Sequence, residues 1–110
     1  MAEPTISQVF GSGASIDGTA LSIPAAFFTA QGVTISSSTR AETLVAALAK
    51  GWANVLTETD RASDLVNRNV TETYAGQDVI SQAGNQYRRD VYSIVLYKTT
   101  TLATVDPNDY

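Results

Sequence analysis

The segment from Gln86 to Thr100 constrains this chain more than any other. On an extended backbone Val91, Val95 and Tyr97 fall on one side, and Tyr92, Ile94 and Leu96 fall on the other. A strand that is apolar on both faces needs cover on both, which places it at the centre of a sheet. The second cover is expected from the chain's own N-terminal region or from a neighbouring subunit.

A helix is the other strong signal. Thr39-Arg40-Ala41-Glu42 reads as a capping box, in which the Thr hydroxyl and the Glu carboxylate each satisfy an exposed amide. Leu44, Leu48 and Trp52 then repeat at four, flanked by Val45, Val55 and Leu56. This is one apolar stripe on an amphipathic helix from Arg40 to Thr57, about five turns long. Ala46, Ala47 and Ala49 favour the helix, whereas Gly51 costs about 1 kcal/mol relative to Ala and suggests close approach of another backbone.

Shorter signals fill the rest. Thr5–Phe10 has the β-branched and aromatic content of a strand, broken by Gly11-Ser12-Gly13. Asp17-Gly18 is a tight-turn dipeptide ahead of a strand at 19–23. Pro24 opens a short helical turn over 25–31 that Gly32 ends. Residues 33–35 read as extended, 57–63 as a polar loop, and 66–74 as a weak edge strand that Gly76 interrupts. A short strand at 78–82 and a turn at Ala83-Gly84-Asn85 lead into the long strand. The tail, Leu102–Tyr110, reads as extended and acidic, with Pro107 opposing regular structure. The expectation is an α+β fold in one domain, 1–110. One amphipathic helix packs on a small, mostly antiparallel sheet, and 1–13 and 102–110 form extended arms.

The chain has no histidine and no cysteine, so it lacks the commonest neutral-pH acid–base group and the best nucleophile. Its eleven acidic residues do not form a convincing catalytic pair. Asp60/Asp64 and Asp106/Asp109 fall in polar segments where acids are simply solvated. Asp60–Asp64 lacks the alternation and central glycine of a calcium loop, and Asp106-Pro-Asn-Asp109 would meet a hard cation only with a partner's help. Gly11-Ser12-Gly13 opens like a glycine fingerprint, but Ile16 stands where the third glycine belongs. No enzymatic activity, cofactor, metal or small-molecule substrate is expected.

Net charge is −4, and the basic residues never run beyond the Arg88-Arg89 pair, so no nucleic-acid footprint is evident. No apolar run approaches the ~18 residues of a membrane span, and Met1-Ala2-Glu3-Pro4 does not read as a signal peptide. Charged residues make up only 16% of the chain, against roughly 25% on average, which suits a surface that meets other proteins and equally an ordinary neutral surface. The candidate interface residues are Phe10, Tyr87, Arg88, Arg89, Leu102, Val105 and Tyr110. They are aromatic or apolar anchors in the expected arms, together with the Tyr-Arg-Arg trio beside the turn.

Three segments carry a resemblance: TISQVFGSGASIDGTALSI, TRAETLVAALAKGW and YRRDVYSIVLYKTTTLATVDPNDY. Together they span nearly the whole chain, which resembles a set of small proteins from cyanobacteria and their phages. The resemblance implies a structural component of a phage virion, most concretely a capsid decoration or cement subunit. Its partners would be copies of itself and other virion proteins, in a particle assembled in the host cytoplasm. It also leaves open a tail, baseplate, head–tail connector or fibre-attachment component. A reading of another class is a soluble host-side protein-binding module. The resemblance carries no catalytic residues.

Overall fold

The computed structural model describes residues 2–99 and 104–110. Helices dominate the first part of the chain and one long hairpin the second, giving an α+β fold. Among the described residues the α-helices are α1 (Ile6–Phe10), α2 (Ala25–Ala30), α3 (Ala41–Val55) and α4 (Glu58–Ser63). The strands are β1 (Ser15–Ile16), β2 (Leu21–Ser22), β3 (Val70–Gln82) and β4 (Asn85–Leu96), followed by a 3-10 turn at Pro107–Asp109. Among the described residues each strand pairs only with its hairpin neighbour, antiparallel, giving two two-stranded sheets.

Local chemistry explains most boundaries. The β1–β2 turn is closed by the Asp17 carboxylate, whose Oδ1 accepts from the backbone amides of Thr19 (2.7 Å) and Ala20 (2.9 Å). These bonds hold its pKa below the ordinary carboxylate value. Pro24 sits at the N-cap of α2, and Gly32 follows that helix with φ +87°. In the β3–β4 turn both Ala83 (φ +49°) and Gly84 (φ +81°) are left-handed, as a two-residue hairpin requires.

Capping chemistry corrects four of the sequence expectations. Thr5–Phe10 is not a strand: Thr5 and Gln8 form a reciprocal capping box that starts α1, and capping chemistry overrides β-propensity. The box expected at Thr39 does not form. Arg40 is the N-cap of α3 without a side-chain bond, while the Thr39 hydroxyl accepts from the Ser36 amide at 2.7 Å in the preceding turn. Residues 57–63 are not a loop, because Thr57 caps α4 by accepting from the Asp60 amide at 3.1 Å. Pro107 does not exclude structure either. It occupies the first turn of the 3-10 helix, where its missing N–H is no loss, and Asp106 caps that turn through the Asn108 amide.

The core lies among the helices. Phe27 and Phe28 meet edge to face with centroids 5.4 Å apart and are buried with Ala47. Ile23, Val33, Ile35, Leu44, Leu48 and Trp52 pack around them. The buried side of α3 therefore runs through Leu44, Ala47, Leu48, Gly51 and Trp52, while Val45 is 65% exposed and leaves the stripe. Gly51 faces the tip of the Phe27 ring rather than another backbone. Phe10 packs edge-on to Trp52 (6.0 Å), whose indole N–H donates to the Val9 carbonyl at 3.0 Å, so α1 is fastened to α3.

The long strand is not central. β4 pairs with β3 alone, from Val70↔Leu96 to Gln82↔Asn85, and its other edge has no strand partner among the described residues. Gly76 does not end β3. Ala75 is left out of register between Tyr74 and Gly76, a bulge that lets the strand continue with added twist. At ~3.4 Å per residue the ribbon is about 40 Å long, close to the 46 Å greatest extent of the molecule. The radius of gyration is 16.3 Å, against about 13 Å for a compact domain of this length.

Candidate functional site

The register sorts the ribbon into two faces. Val70, Glu72, Tyr74, Tyr92, Ile94 and Leu96 share one; Thr71, Thr73, Val91, Ser93 and Val95 share the other. Only the base of the ribbon is clamped between helices. On the first face α1 and α3 lie near Glu72 and Ile94. On the second, α4 is tied down through Glu58, whose Oε1 accepts from the Thr71 hydroxyl at 2.7 Å and the Tyr97 hydroxyl at 3.0 Å. Those two bonds hold the Glu58 carboxyl below its ordinary range. The Arg61 guanidinium stacks 3.5 Å over the Tyr97 ring and completes the clamp.

Beyond the base the ribbon is bare. Tyr87 and Val91 on the second face are 49% and 41% exposed, and even Val95, opposite Thr71 at the base, is 39% exposed. Arg89 and Asp78, directly opposite each other on that face, form a bidentate pair that holds the Asp78 carboxyl low. On the first face the Tyr74 hydroxyl donates to Asp90 at 2.9 Å, and Arg88 pairs with the same carboxylate at 3.2 Å. An open cleft of about 770 Å³ separates this face from the outer side of α3 around Val45 and Lys50.

The anticipated interface residues are thus divided. Tyr87 and Arg89 share the bare second face, and Arg88 lies on the other. Val105 is exposed. Tyr110 is partly exposed and reaches back to the base of the ribbon, where it lines a cavity. Phe10 is turned inward onto Trp52, because α1 replaces the expected extended arm and commits its ring to the fold. Leu102 lies outside the described residues.

The cavity is the feature that sequence reasoning missed. It is an open pocket of about 360 Å³ between the N-terminal segment, α1, α3 and the ribbon base. Its apolar walls include Pro4, Val9, Trp52, Leu56, Val70 and Ile94, and Glu3, Asn67 and Asn69 supply polar groups. Glu72 also lines it. This residue is 3% exposed, and neither of its carboxyl oxygens has a hydrogen-bond partner. Burial alone pushes the Glu72 carboxyl above its ordinary 4.5. One signal was available: Glu72 alternates with Val70 and Tyr74 and stands opposite Ile94, an acid on an otherwise apolar face.

Among the described residues no group of three or more acidic, His or Cys side chains could hold a metal ion, and no helix is long and apolar enough to cross a membrane. No family model matches this chain, and comparison with curated proteins and with solved structures finds no relative.

Proposed function

We propose that this protein is a non-enzymatic structural assembly subunit, most concretely a decoration or cement subunit of a phage capsid, and that the β3–β4 ribbon is its assembly surface. One observation carries the reading. The chain exposes 7917 Å², about 2,000 Å² more than the ~5,900 Å² expected of a compact monomer of its mass. A standard interface removes roughly 1,600 Å² summed over both partners, so the excess on each chain is large enough for an extensive contact. The ribbon contributes to this surplus: it is long, clamped only at its base, bordered by an edge without a strand partner among the described residues and lined with exposed Val91, Val95 and Tyr87. An isolated two-stranded hairpin is marginal in water, and copies of the same chain or another virion protein would provide its missing cover. The resemblance to small proteins of cyanobacterial phages supports a virion as the setting.

Light scattering after size exclusion tests the assembly, and mass spectrometry of purified particles tests the setting. The wild-type chain is expected to form oligomers, and Val91→Lys to be monomeric with an unchanged circular dichroism spectrum. A wild-type chain that stays monomeric at millimolar concentration and is absent from particles overturns the proposal.

A further inference from the structure

We propose that the cavity at the ribbon base binds an alkylammonium group, with the charged end taken by the Glu72 carboxylate and the methylene stem lying against Trp52, Leu56 and Ile94. The inference goes beyond assembly and does not depend on it.

The argument begins with Glu72 itself. A buried carboxyl normally has hydrogen-bond partners, because desolvation without compensation is costly. Here both oxygens are buried and unpartnered beside a space that the residue lines. Neutralisation by a proton would still leave an O–H without an acceptor. The space exceeds what one water needs and falls at the small end of ligand pockets. It suits a chain of a few carbons with a single polar end. An ammonium group brings three donors and a compensating charge, matching an acceptor-only carboxylate.

The surrounding charges favour a cation. The titratable groups lining the cavity are Glu72 on β3, Glu3 on the N-terminal segment and Tyr110 on the tail; α1 and α3 contribute the uncharged Val9, Trp52 and Leu56. No lysine or arginine among the described residues lines it. Arg68, next to Asn67 and Asn69, is engaged elsewhere, donating from Nε to the Ala2 carbonyl at 3.1 Å and facing Asp60 at 3.9 Å. Both Glu72 oxygens are buried in the unliganded chain, so engaging the ammonium requires the Glu72 side chain to change rotamer.

Trp52 is the chain's single tryptophan and lines the cavity, so its fluorescence and indole N–H resonance report occupancy. The probes are n-butylammonium chloride, n-butanol as the neutral analogue, sodium chloride for ionic strength, and Nα-acetyl-lysine N-methylamide for a lysine side chain. Saturable binding of n-butylammonium is expected, with n-butanol and Glu72→Gln each weakening it by about 10- to 100-fold. Binding should release a proton at pH values near and just above 4.5, because the cation favours ionised Glu72. If the lysine amide also binds, the site takes lysine side chains; if only n-butylammonium binds, it takes free amines. Either supports the proposal. The absence of saturable amine binding, equal binding of butanol and butylammonium to the wild type, or undiminished binding by a folded Glu72→Gln variant overturns it. The ammonium-to-alcohol comparison uses the wild-type chain and stands even if the variant fails to fold.

Discussion

Gly51→Ala sets two effects of opposite sign against each other. In an exposed helix interior this change should stabilise by about 1 kcal/mol through propensity alone. At this position, a Cβ would lie 2.5 Å from Phe27 Cζ and 3.2 Å from both Cε atoms. Ordinary carbon contacts begin near 3.5 Å, so the ring tip must retreat by about 1 Å. Rotation of the ring does not help, because Cζ lies on the rotation axis. Backing away is also opposed, since the root of the side chain is already pressed on Gly11, where an added Cβ would stand 3.0 Å from Phe27 Cβ. Overpacking of a tight core costs about 1–3 kcal/mol. The net expectation is about 0–2 kcal/mol of destabilisation, with a loss of roughly 4–8 °C in Tm per kcal/mol. Urea melts followed by circular dichroism measure it. The decisive comparison repeats the change in a Phe27→Leu background, which removes Cζ and both Cε atoms; there Gly51→Ala should become stabilising by about 1 kcal/mol. Stabilisation in the wild-type background, or the same cost in both, would refute the packing argument.

Thr57→Ala should cost about 1 kcal/mol by uncapping α4, whereas Thr39→Ala should cost less because its hydroxyl serves an exposed turn; urea melts giving the reverse order would place the caps wrongly. Glu72 and Glu58 should tilt the pH–stability profile in opposite directions. The Glu72 pKa is raised in the fold, so between its unfolded 4.5 and its folded value the native chain holds a proton that the unfolded chain has lost, and stability falls as pH rises through that window. Glu72→Gln should remove this fall in denaturation midpoints measured against pH. The Glu58 pKa is lowered, so its contribution is present above 4.5 and lost as pH falls through the folded value; Glu58→Gln should flatten that acid limb. Thr5→Ala should loosen α1 by about 1 kcal/mol, read as faster amide exchange at Val9 and Phe10.

What the sequence determined by itself was local: a helix where Leu44, Leu48 and Trp52 repeat, turns at Asp17-Gly18 and Ala83-Gly84, and a strand where Val91 to Tyr97 alternate. Such signals depend on backbone preference and on neighbours a few residues away, and they also marked the chain as α+β. Choices between competing local bonds were less legible. Thr5-Gln8 and Thr39-Glu42 offer the same capping pattern, and only the first forms it, because Ser36 takes the Thr39 hydroxyl instead. Alternation in β4 showed that both faces need cover, but not where the cover lies. That depended on long-range packing, which spent the chain's largest apolar side chains on a helical core around Phe27 and Phe28 and left the ribbon clamped only at its base. Tertiary structure alone also assembled the pocket beside Glu72. Burial of a carboxyl depends on which distant segments fold over it, and those are Val9 from α1, Trp52 from α3 and Tyr110 from the tail, none of which lies near residue 72 in the sequence.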